Sequence, residues 1–300
     1  MKNELCYYCN LSTFKSIIQN QTFWLSDLHY MNDSAEESWF LDALSDVMRK
    51  FRDGLSDEAK EYLDKNKYMD DYFTNIKNCY QFLTYICCFT DGKNDDLSQW
   101  RGYASDGTGL CIGFKKNKIQ SLKKLHQDKI NYSDKAKIMK ELEDKIAPII
   151  EQFDNNKINL DAEELDVGFI FKLLDAAYQD KAFYKNKSFE SEKEYRICFF
   201  DTIHEYFIDK ENEMLMDKMQ KKYTFQNETT LSEVRFREGR GAFIPYREMK
   251  FTKEFFTEML SSVTIGPKNP MSVEDVQFFL LANGFDTKNI KVLKSKSTYQ

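Results

Sequence analysis

The 300-residue sequence predicts an α+β fold in a single domain that spans residues 1–300. Short segments typical of strands recur along the whole chain, and longer stretches with helical periodicity separate them. Hydrophobic residues make up 42% of the chain and aromatic residues 15%, which is enough for a sizeable core. No internal repeat or low-complexity tract is present. The predicted sheet therefore combines strands that are distant in sequence.

The first part of the chain alternates strands with helices. Asn10 offers an N-cap to a helix whose apolar face includes Phe14 and Ile17, and Asn20-Gln21 forms the next turn. The predicted elements are strands at about 5–9 and 22–26, a helix between them, and helices at about 34–52 and 57–78.

The rest of the chain carries most of the predicted strands. A highly charged segment at about 133–186 has an apolar stripe that includes Phe169 and Leu173, which predicts a mainly helical insertion into the single domain. A helical turn is expected around Trp100 and a last helix at about 273–283. Strands are predicted at about 82–89, 110–114, 195–200, 234–237, 242–245, 263–265 and 290–293.

Composition narrows the class of protein. The sequence has no run of eighteen apolar residues and no signal-peptide pattern at its start, so we expect a cytoplasmic protein that does not enter a membrane. The formal net charge of −6 gives the whole molecule no long-range attraction to nucleic acid. A local basic surface remains open, either at lysines 218, 221 and 222 or at arginines 235, 237 and 240.

Metal and redox sites have little support. The seven cysteines have no framework spacing, and Cys6 and Cys9 face opposite ways if they lie on one strand. The three histidines are scattered, and neither a P-loop nor a Rossmann glycine pattern occurs. We therefore expect buried free thiols and no metal.

Five blocks of sequence, taken in order, resemble the domain-of-unknown-function family 2971. The first, LCYYCNLSTFKSIIQNQTFWLSDLHYMNDSAEE, resembles the family's opening strand, helix, second strand and Asn-Asp loop. The others are at 88–114, 185–200, 242–251 together with 261–269, and 289–299. The resemblance extends over nearly the whole chain.

The motif order of this family is in turn similar to that of ADP-ribosyltransferases. This similarity implies a split mixed or antiparallel sheet, NAD as the substrate, and transfer of ADP-ribose to a protein, a nucleic acid or water. It also implies a bacterial setting as a toxin or phage-defence effector. The acceptor, the oligomeric state and the activating signal stay open.

The opening strand departs from the family pattern. Tyr7 stands where the family usually has histidine, and Cys9 stands where it has threonine. A phenol can still donate one hydrogen bond to a ribose hydroxyl, although it cannot serve as an acid at neutral pH. This substitution motivates an alternative function, a catalytically degenerate module that binds a nucleotide, a nucleic acid or a partner protein.

Two glutamates are the candidate catalytic residues. The resemblance implies a carboxylate that stabilises an oxocarbenium-like ribosyl transition state, and Glu194, helped by Glu192, matches that block. On an alternating strand the two side chains project to the same face. The alternative is a solvated face on which Glu192, Glu194 and Arg196 form salt bridges.

Three residues around Trp100 are candidates for ligand binding. Trp100 and Tyr103 share a face of the predicted helical turn and can stack on a nicotinamide or adenine ring, whereas the alternative is a buried aromatic pair. Arg101 can meet a pyrophosphate, or it can pair with Asp95 or Asp96.

Asn32 and Asp33 complete the candidate set. They follow the second predicted strand, and an amide beside a carboxylate suits recognition of a ribose or a base edge. Their alternative role is to cap the next helix.

Overall fold

The computed structural model describes residues 3–31, 36–65, 84–92, 94–155, 180–201, 219–225, 229–239 and 241–299. The strands are β1 (Glu4–Cys9), β2 (Thr22–Asp27), β3 (Thr84–Asp91), β4 (Leu110–Lys115), β5 (His126–Lys129), β6 (Asn131–Ser133), β7 (Tyr184–Asn186), β8 (Glu194–Phe200), β9 (Tyr223–Thr224), β10 (Thr230–Leu231), β11 (Arg235–Gly239), β12 (Ala242–Lys250), β13 (Leu260–Ile265) and β14 (Lys291–Lys294). The helices are α1 (Leu11–Asn20), α2 (Glu36–Gly54), α3 (Asp57–Lys65), α4 (Leu97–Tyr103), α5 (Lys116–Gln120), α6 (Lys135–Asn155), α7 (Lys253–Met259) and α8 (Val273–Ala282).

The predicted α+β class is confirmed as a mixed sheet of mostly antiparallel strands with several helices. Within the described ranges, twelve strands form one sheet, in which the order β14-β13-β4-β1-β3-β2-β12-β10-β9 is the longest path. Strands β13 and β14 pair in parallel, and β6 and β7 form a separate parallel pair. Among the helices described, none is long and apolar enough to cross a lipid bilayer.

The sheet branches at β3. Strand β8 pairs with one edge of β3 from Thr84 to Thr90. The other edge is shared, because β1 pairs near one end, with Cys6 opposite Thr90, and β2 pairs near the other end, with Ser26 opposite Ile86. Residues 87–89 of β3 lie opposite neither β1 nor β2 in these registers. The sheet therefore opens into a fork over the middle of β3.

Aromatic packing holds the strands of the fork together beneath the opening. Phe23 of β2 lies 5.5 Å from Phe89 of β3, 5.1 Å from Phe114 of β4 and 5.3 Å from Phe251, measured between ring centroids. These edge-on contacts are favourable because the positive ring edge meets the negative ring face. Both branches of the sheet therefore pack on one continuous core.

Helices α2, α3 and α6 form a second core. The centre of this core includes Phe40 and Leu44 on α2, with Leu142 and Ile146 on α6. Residues 156–179 lie outside the described part, so the predicted helix over 133–186 can be compared only in part. Its end is wrong, because Tyr184–Asn186 is the strand β7. The cause is a tertiary contact. Strand β7 pairs with β6, and β6 is the strand that ends just before α6 begins.

The shortest strands were not predicted. Strands β5, β6, β7, β9 and β10 have two to four residues each, which is too short to show an alternating pattern. Helix α7 was also missed, although Thr252 caps it through a hydrogen bond from the Phe255 backbone. The predicted helix at about 57–78 is described only to Lys65, and the predicted start of the strand at 82 lies outside the described residues.

A buried ion pair fixes the branch that contains β12. The Nη2 atom of Arg247 lies 2.7 Å from Oδ2 of Asp201, and neither side chain is exposed to solvent. The guanidinium also donates to the carbonyls of Lys221 and Ser232 and lies over the ring of Tyr223. Each of these buried charges is tolerated because the other is present, and removal of one partner leaves the other buried at a large cost in free energy.

We expect Arg247→Met to lower the free energy of unfolding by about 3–5 kcal/mol, because it leaves the Asp201 carboxylate buried without its cation. Urea unfolding of the wild type and the variant measures this. Lys118→Met, which removes an exposed ion pair with Glu258, is the control and should change stability little. A loss of less than about 1 kcal/mol in Arg247→Met would contradict the role given to this pair.

Candidate functional site

The opening of the fork contains a cavity of about 350 Å³. Strands β1, β2, β3, β8 and the β11–β12 hairpin form its wall, together with helix α4 and the segment that joins β7 to β8. Because the cavity lies where the two branches diverge, it brings together residues from six distant parts of the chain.

Two carboxylates and a lysine meet in this wall. The Nζ atom of Lys185 lies 2.7 Å from Oε2 of Glu192 and 3.1 Å from Oε2 of Glu194. Arg196 then holds Glu194 from the other side, with Nε 2.6 Å from Oε1 and Nη2 3.2 Å from Oε2. The result is a continuous network of two carboxylates and two cations. We call these four residues the carboxylate network.

A turn, rather than strand alternation, brings the two carboxylates together. Glu192 ends a short 3₁₀ helix over Lys187–Glu192, Lys193 has the left-handed values φ 48° and ψ 47°, and Glu194 begins β8. The expectation that both glutamates project from one strand is therefore wrong. The left-handed conformation of Lys193 turns the backbone between the two glutamates. The ammonium group of Lys185 then pairs with both carboxylates.

Glu194 is ionised throughout the physiological pH range. Burial by itself would raise the pKa of this carboxyl, but Arg196 and Lys185 outweigh burial and lower the pKa to about 2. The expected alternative, a solvated face, is also wrong, because Glu194 is only 7% exposed and Arg196 1%. The ion pairs that this alternative anticipated are present in a buried form.

Tyr103 reaches the carboxylate network from helix α4. Its hydroxyl donates a hydrogen bond of 2.9 Å to Oε1 of Glu192, and the residue is half-exposed at the cavity. Glu192 thus accepts from Tyr103 with one oxygen and from Lys185 with the other. The carboxylate is held in place while its side chain retains partial access to solvent.

Tyr7 contributes to the cavity from β1. Its ring packs 5.6 Å from Phe89 and 6.0 Å from Phe23, measured between centroids. Burial raises the pKa of its phenol well above the ordinary value, although Arg237 partly offsets this. The phenol is therefore neutral and can donate a hydrogen bond.

Trp100 lies outside the cavity lining, which contradicts its predicted contact with a ligand. It is fully buried, it packs edge-on against Tyr8 at 4.8 Å, and its Nε1 donates to Oδ1 of Asp95 at 2.8 Å. Helix α4 turns Trp100 toward the sheet and Tyr103 toward the fork. Arg101 is also absent from the lining, and its guanidinium lies 5.8 Å from the centroid of the Tyr299 ring.

The remaining candidates, Asn32 and Asp33, lie outside the described residues. Of the predicted site residues, the structure brings Tyr7, Tyr103, Glu192 and Glu194 into one wall. Sequence reasoning missed Lys185 and Trp24, and it listed Arg237 only as part of a basic surface. The signal for Arg237 was available, since Arg235 and Arg237 alternate on a strand with one residue between them.

The low pKa of Glu194 makes the free energy of unfolding depend on pH in the acidic range. A carboxyl whose pKa is lower in the folded state than in the unfolded state stabilises the fold above its ordinary pKa of 4.5, and that stabilisation is lost as the pH falls toward 2. We expect the gap in stability between wild type and Glu194→Gln to shrink over this window. Urea unfolding at several pH values measures the gap, with Glu190→Gln, an exposed carboxylate on the same turn, as the control. A gap that does not change with pH would contradict the buried ion pairs.

Trp100→Phe should lower the free energy of unfolding by about 1–3 kcal/mol, because it removes the indole hydrogen bond inside a packed cluster. Trp24→Phe is the matched control, since Trp24 is 43% exposed and should affect stability less. Thermal melts of the two variants compare them directly. Equal melting temperatures for wild type and Trp100→Phe would contradict the core role of Trp100.

Comparison with known proteins gives a family match to part of the chain but no activity. No curated protein and no solved structure is significantly similar to the chain. The model of a family described as "Protein of unknown function (DUF2971)" matches residues 99–197, which include most of α4, all of β4 and the carboxylate network. The match covers about a third of the chain, so the expected extent over nearly the whole chain was too wide. This segment of the chain is similar to the DUF2971 family.

Proposed function

We propose that this protein is an NAD-dependent enzyme that releases nicotinamide and transfers ADP-ribose to a macromolecule or to water. The observation that carries the proposal is the carboxylate network inside the cavity at the fork. Cleavage of the bond between nicotinamide and ribose develops positive charge on the sugar, and fixed carboxylates stabilise that charge. The resemblance of the sequence motifs, in their order, to those of ADP-ribosyltransferases supports the same proposal, including the toxin or phage-defence setting.

The size of the cavity supports a ligand of this class. A volume of about 350 Å³ lies at the lower end of the range for small-molecule sites, roughly 300–1,000 Å³. This volume suits one nucleoside half of a dinucleotide, with the other half extending through the open mouth. The exposed ring of Trp24, which lines the cavity and packs against Tyr246 at 4.5 Å, is the surface on which we propose that a base stacks.

Each carboxylate has its own proposed role. Glu192 is the more accessible of the two, and it has one hydrogen bond to each oxygen. We assign it to the ribose hydroxyls and to the developing positive charge. Glu194 is a positioning residue, because Arg196 and Lys185 already balance its charge and it fixes Lys185 against Glu192.

The reaction balances with NAD and one acceptor as the reactants. The bond between the ribose carbon and the pyridinium nitrogen breaks, and its electron pair stays with the nitrogen, so nicotinamide leaves as a neutral molecule. The positive charge passes to the ribose, where Glu192 stabilises it. An acceptor hydroxyl, amine or water then attacks the same carbon and releases a proton.

A second candidate is a module that binds the nucleotide without cleaving it. Its specific support is that two cations already balance Glu194, which weakens the field that this carboxylate can exert on a sugar. Tyr7 in place of the histidine usual in the family points the same way. The two candidates differ in whether nicotinamide is released.

Nicotinamide release from NAD by purified protein tests the proposal. We expect Glu192→Gln to lower kcat by about a hundredfold or more, on the order of 3 kcal/mol of barrier, because it removes the charge and keeps the shape. Glu194→Gln should lower kcat less and also reduce stability. Glu190→Gln, the exposed control on the same turn, should retain full activity.

The outcomes separate the candidates. Wild-type protein that binds NAD but releases no nicotinamide, with or without lysate as a source of acceptor, would favour the binding module. Unchanged turnover in Glu192→Gln would remove this residue from the catalytic role. Thermal melts of every variant show whether a loss of activity reflects unfolding.

A further inference from the structure

Arg237 differs from the other buried or half-buried arginines of the described chain. Arg196 pairs with Glu194, and Arg247 pairs with Asp201. Arg237 lines the cavity, yet within the part of the chain that the structure describes it forms no ion pair with a carboxylate. Among the described residues it makes one hydrogen bond, a long one of 3.4 Å from Nη2 to Oγ of Ser26. Its Nε atom is shielded from solvent and, like Nε of Arg247, has no hydrogen-bond partner among the described residues.

The neighbouring arginine on the same strand shows the contrast. Arg235 has Nη1 2.6 Å from Oε2 of Glu248 and Nη2 3.1 Å from Oε1 of Glu233. Its charge is balanced on the protein surface. The charge of Arg237, two residues further along the strand, is not balanced by any described carboxylate.

The local backbone leaves room for the Arg237 guanidinium. Gly239 also lines the cavity, and a Cβ atom added there would lie 3.3 Å from Nη1 of Arg237 and 2.8 Å from Cδ1 of Ile244. A larger residue at this position would crowd the guanidinium against the hairpin. The glycine therefore lets Arg237 lie along the wall of the cavity.

The charges of the cavity sum to a positive excess. Its described lining contains three cations, Lys185, Arg196 and Arg237, and two carboxylates, Glu192 and Glu194. The carboxylate network accounts for two of the cations. A partly buried guanidinium with an unused donor is unfavourable, and an anion that accepts its hydrogen bonds relieves this cost.

We propose that Arg237, with the hydroxyls of Ser26 and Tyr7 from the same cavity lining, binds a phosphate group of the ligand. The planar guanidinium forks onto two phosphate oxygens, which a neutral sugar or base cannot match. The Tyr7 phenol stays protonated and serves as a further donor. The cavity thus binds a phosphorylated nucleoside more tightly than a free nucleoside. That the nucleoside is the nicotinamide half of NAD rests on the proposed function, whereas the phosphate site does not.

Calorimetric titration of wild type, Arg237→Gln and Arg237→Lys tests this site. The probes are ADP-ribose, nicotinamide riboside, which has no phosphate, and inorganic pyrophosphate. We expect Arg237→Gln to lower the affinity for ADP-ribose and for pyrophosphate at least tenfold and to leave the affinity for nicotinamide riboside unchanged. Arg237→Lys should recover part of the affinity, because a point charge replaces the fork. Arg235→Gln is the matched control and should bind all three probes as the wild type does.

The results separate this site from the proposed reaction. Equal affinity of wild type and Arg237→Gln for ADP-ribose overturns the phosphate site, even if Glu192 proves essential for turnover. The phosphate site is also overturned if Arg237→Gln lowers the affinity for nicotinamide riboside as much as the affinity for ADP-ribose. Loss of ADP-ribose binding in Arg237→Gln, with a normal melting temperature and no nicotinamide release by the wild type, supports the phosphate site and rejects the enzyme. Binding of pyrophosphate but not of ADP-ribose would show a free-anion site and overturn the nucleotide assignment.

Discussion

A strand has only two edges, and this limit shapes the site. Strand β3 has three neighbours, and β8 takes one whole edge, so β1 and β2 must share the other. Each of them pairs with two residues of β3 and then diverges. The divergence creates the cavity and also opens the middle of β3 to it. Residues that lie more than 200 positions apart, such as Ser26 and Arg237, face each other there only because the two branches separate.

The carboxylate network depends on how the fold handles buried charge. An ionised carboxylate as buried as Glu194 would be very costly alone, and two cations make it tolerable. Lys185 comes from β7, which follows α6 in the chain, whereas Arg196 comes from β8. The second hydrophobic core, built from α2, α3 and α6, therefore helps to position a cation of the site. Tyr184 packs in this second core, so packing there is linked to electrostatics in the cavity through the next residue, Lys185.

Helix α4 divides its residues between structure and site. Trp100 points into the cluster with Tyr8, and Asp95 holds the indole N–H while it also accepts from Ser295 and the Lys296 backbone. Tyr103, one turn later, points to Glu192. The C-terminal segment thus anchors the helix that delivers Tyr103 to the cavity. The spacing of Trp100 and Tyr103 predicted that both contact a ligand. This arrangement explains why Trp100 packs in the core and only Tyr103 reaches the cavity.

Local signals in the sequence determined the class of fold and most of its longer elements. The Asn10 cap, the alternating strands and the last helix with its Ser272 cap all follow from interactions within a few residues, so pattern alone identifies them. The sequence also singled out the glutamate block and Tyr103, and the structure places these residues at one cavity. Tertiary structure alone decided three other points: Trp100 belongs to the core, Lys193 rather than strand alternation joins the carboxylates, and Arg237 lines the cavity without a carboxylate partner among the described residues. Each of these depends on which distant strand lies alongside, because burial and charge balance are set by neighbours in space and not by neighbours in sequence.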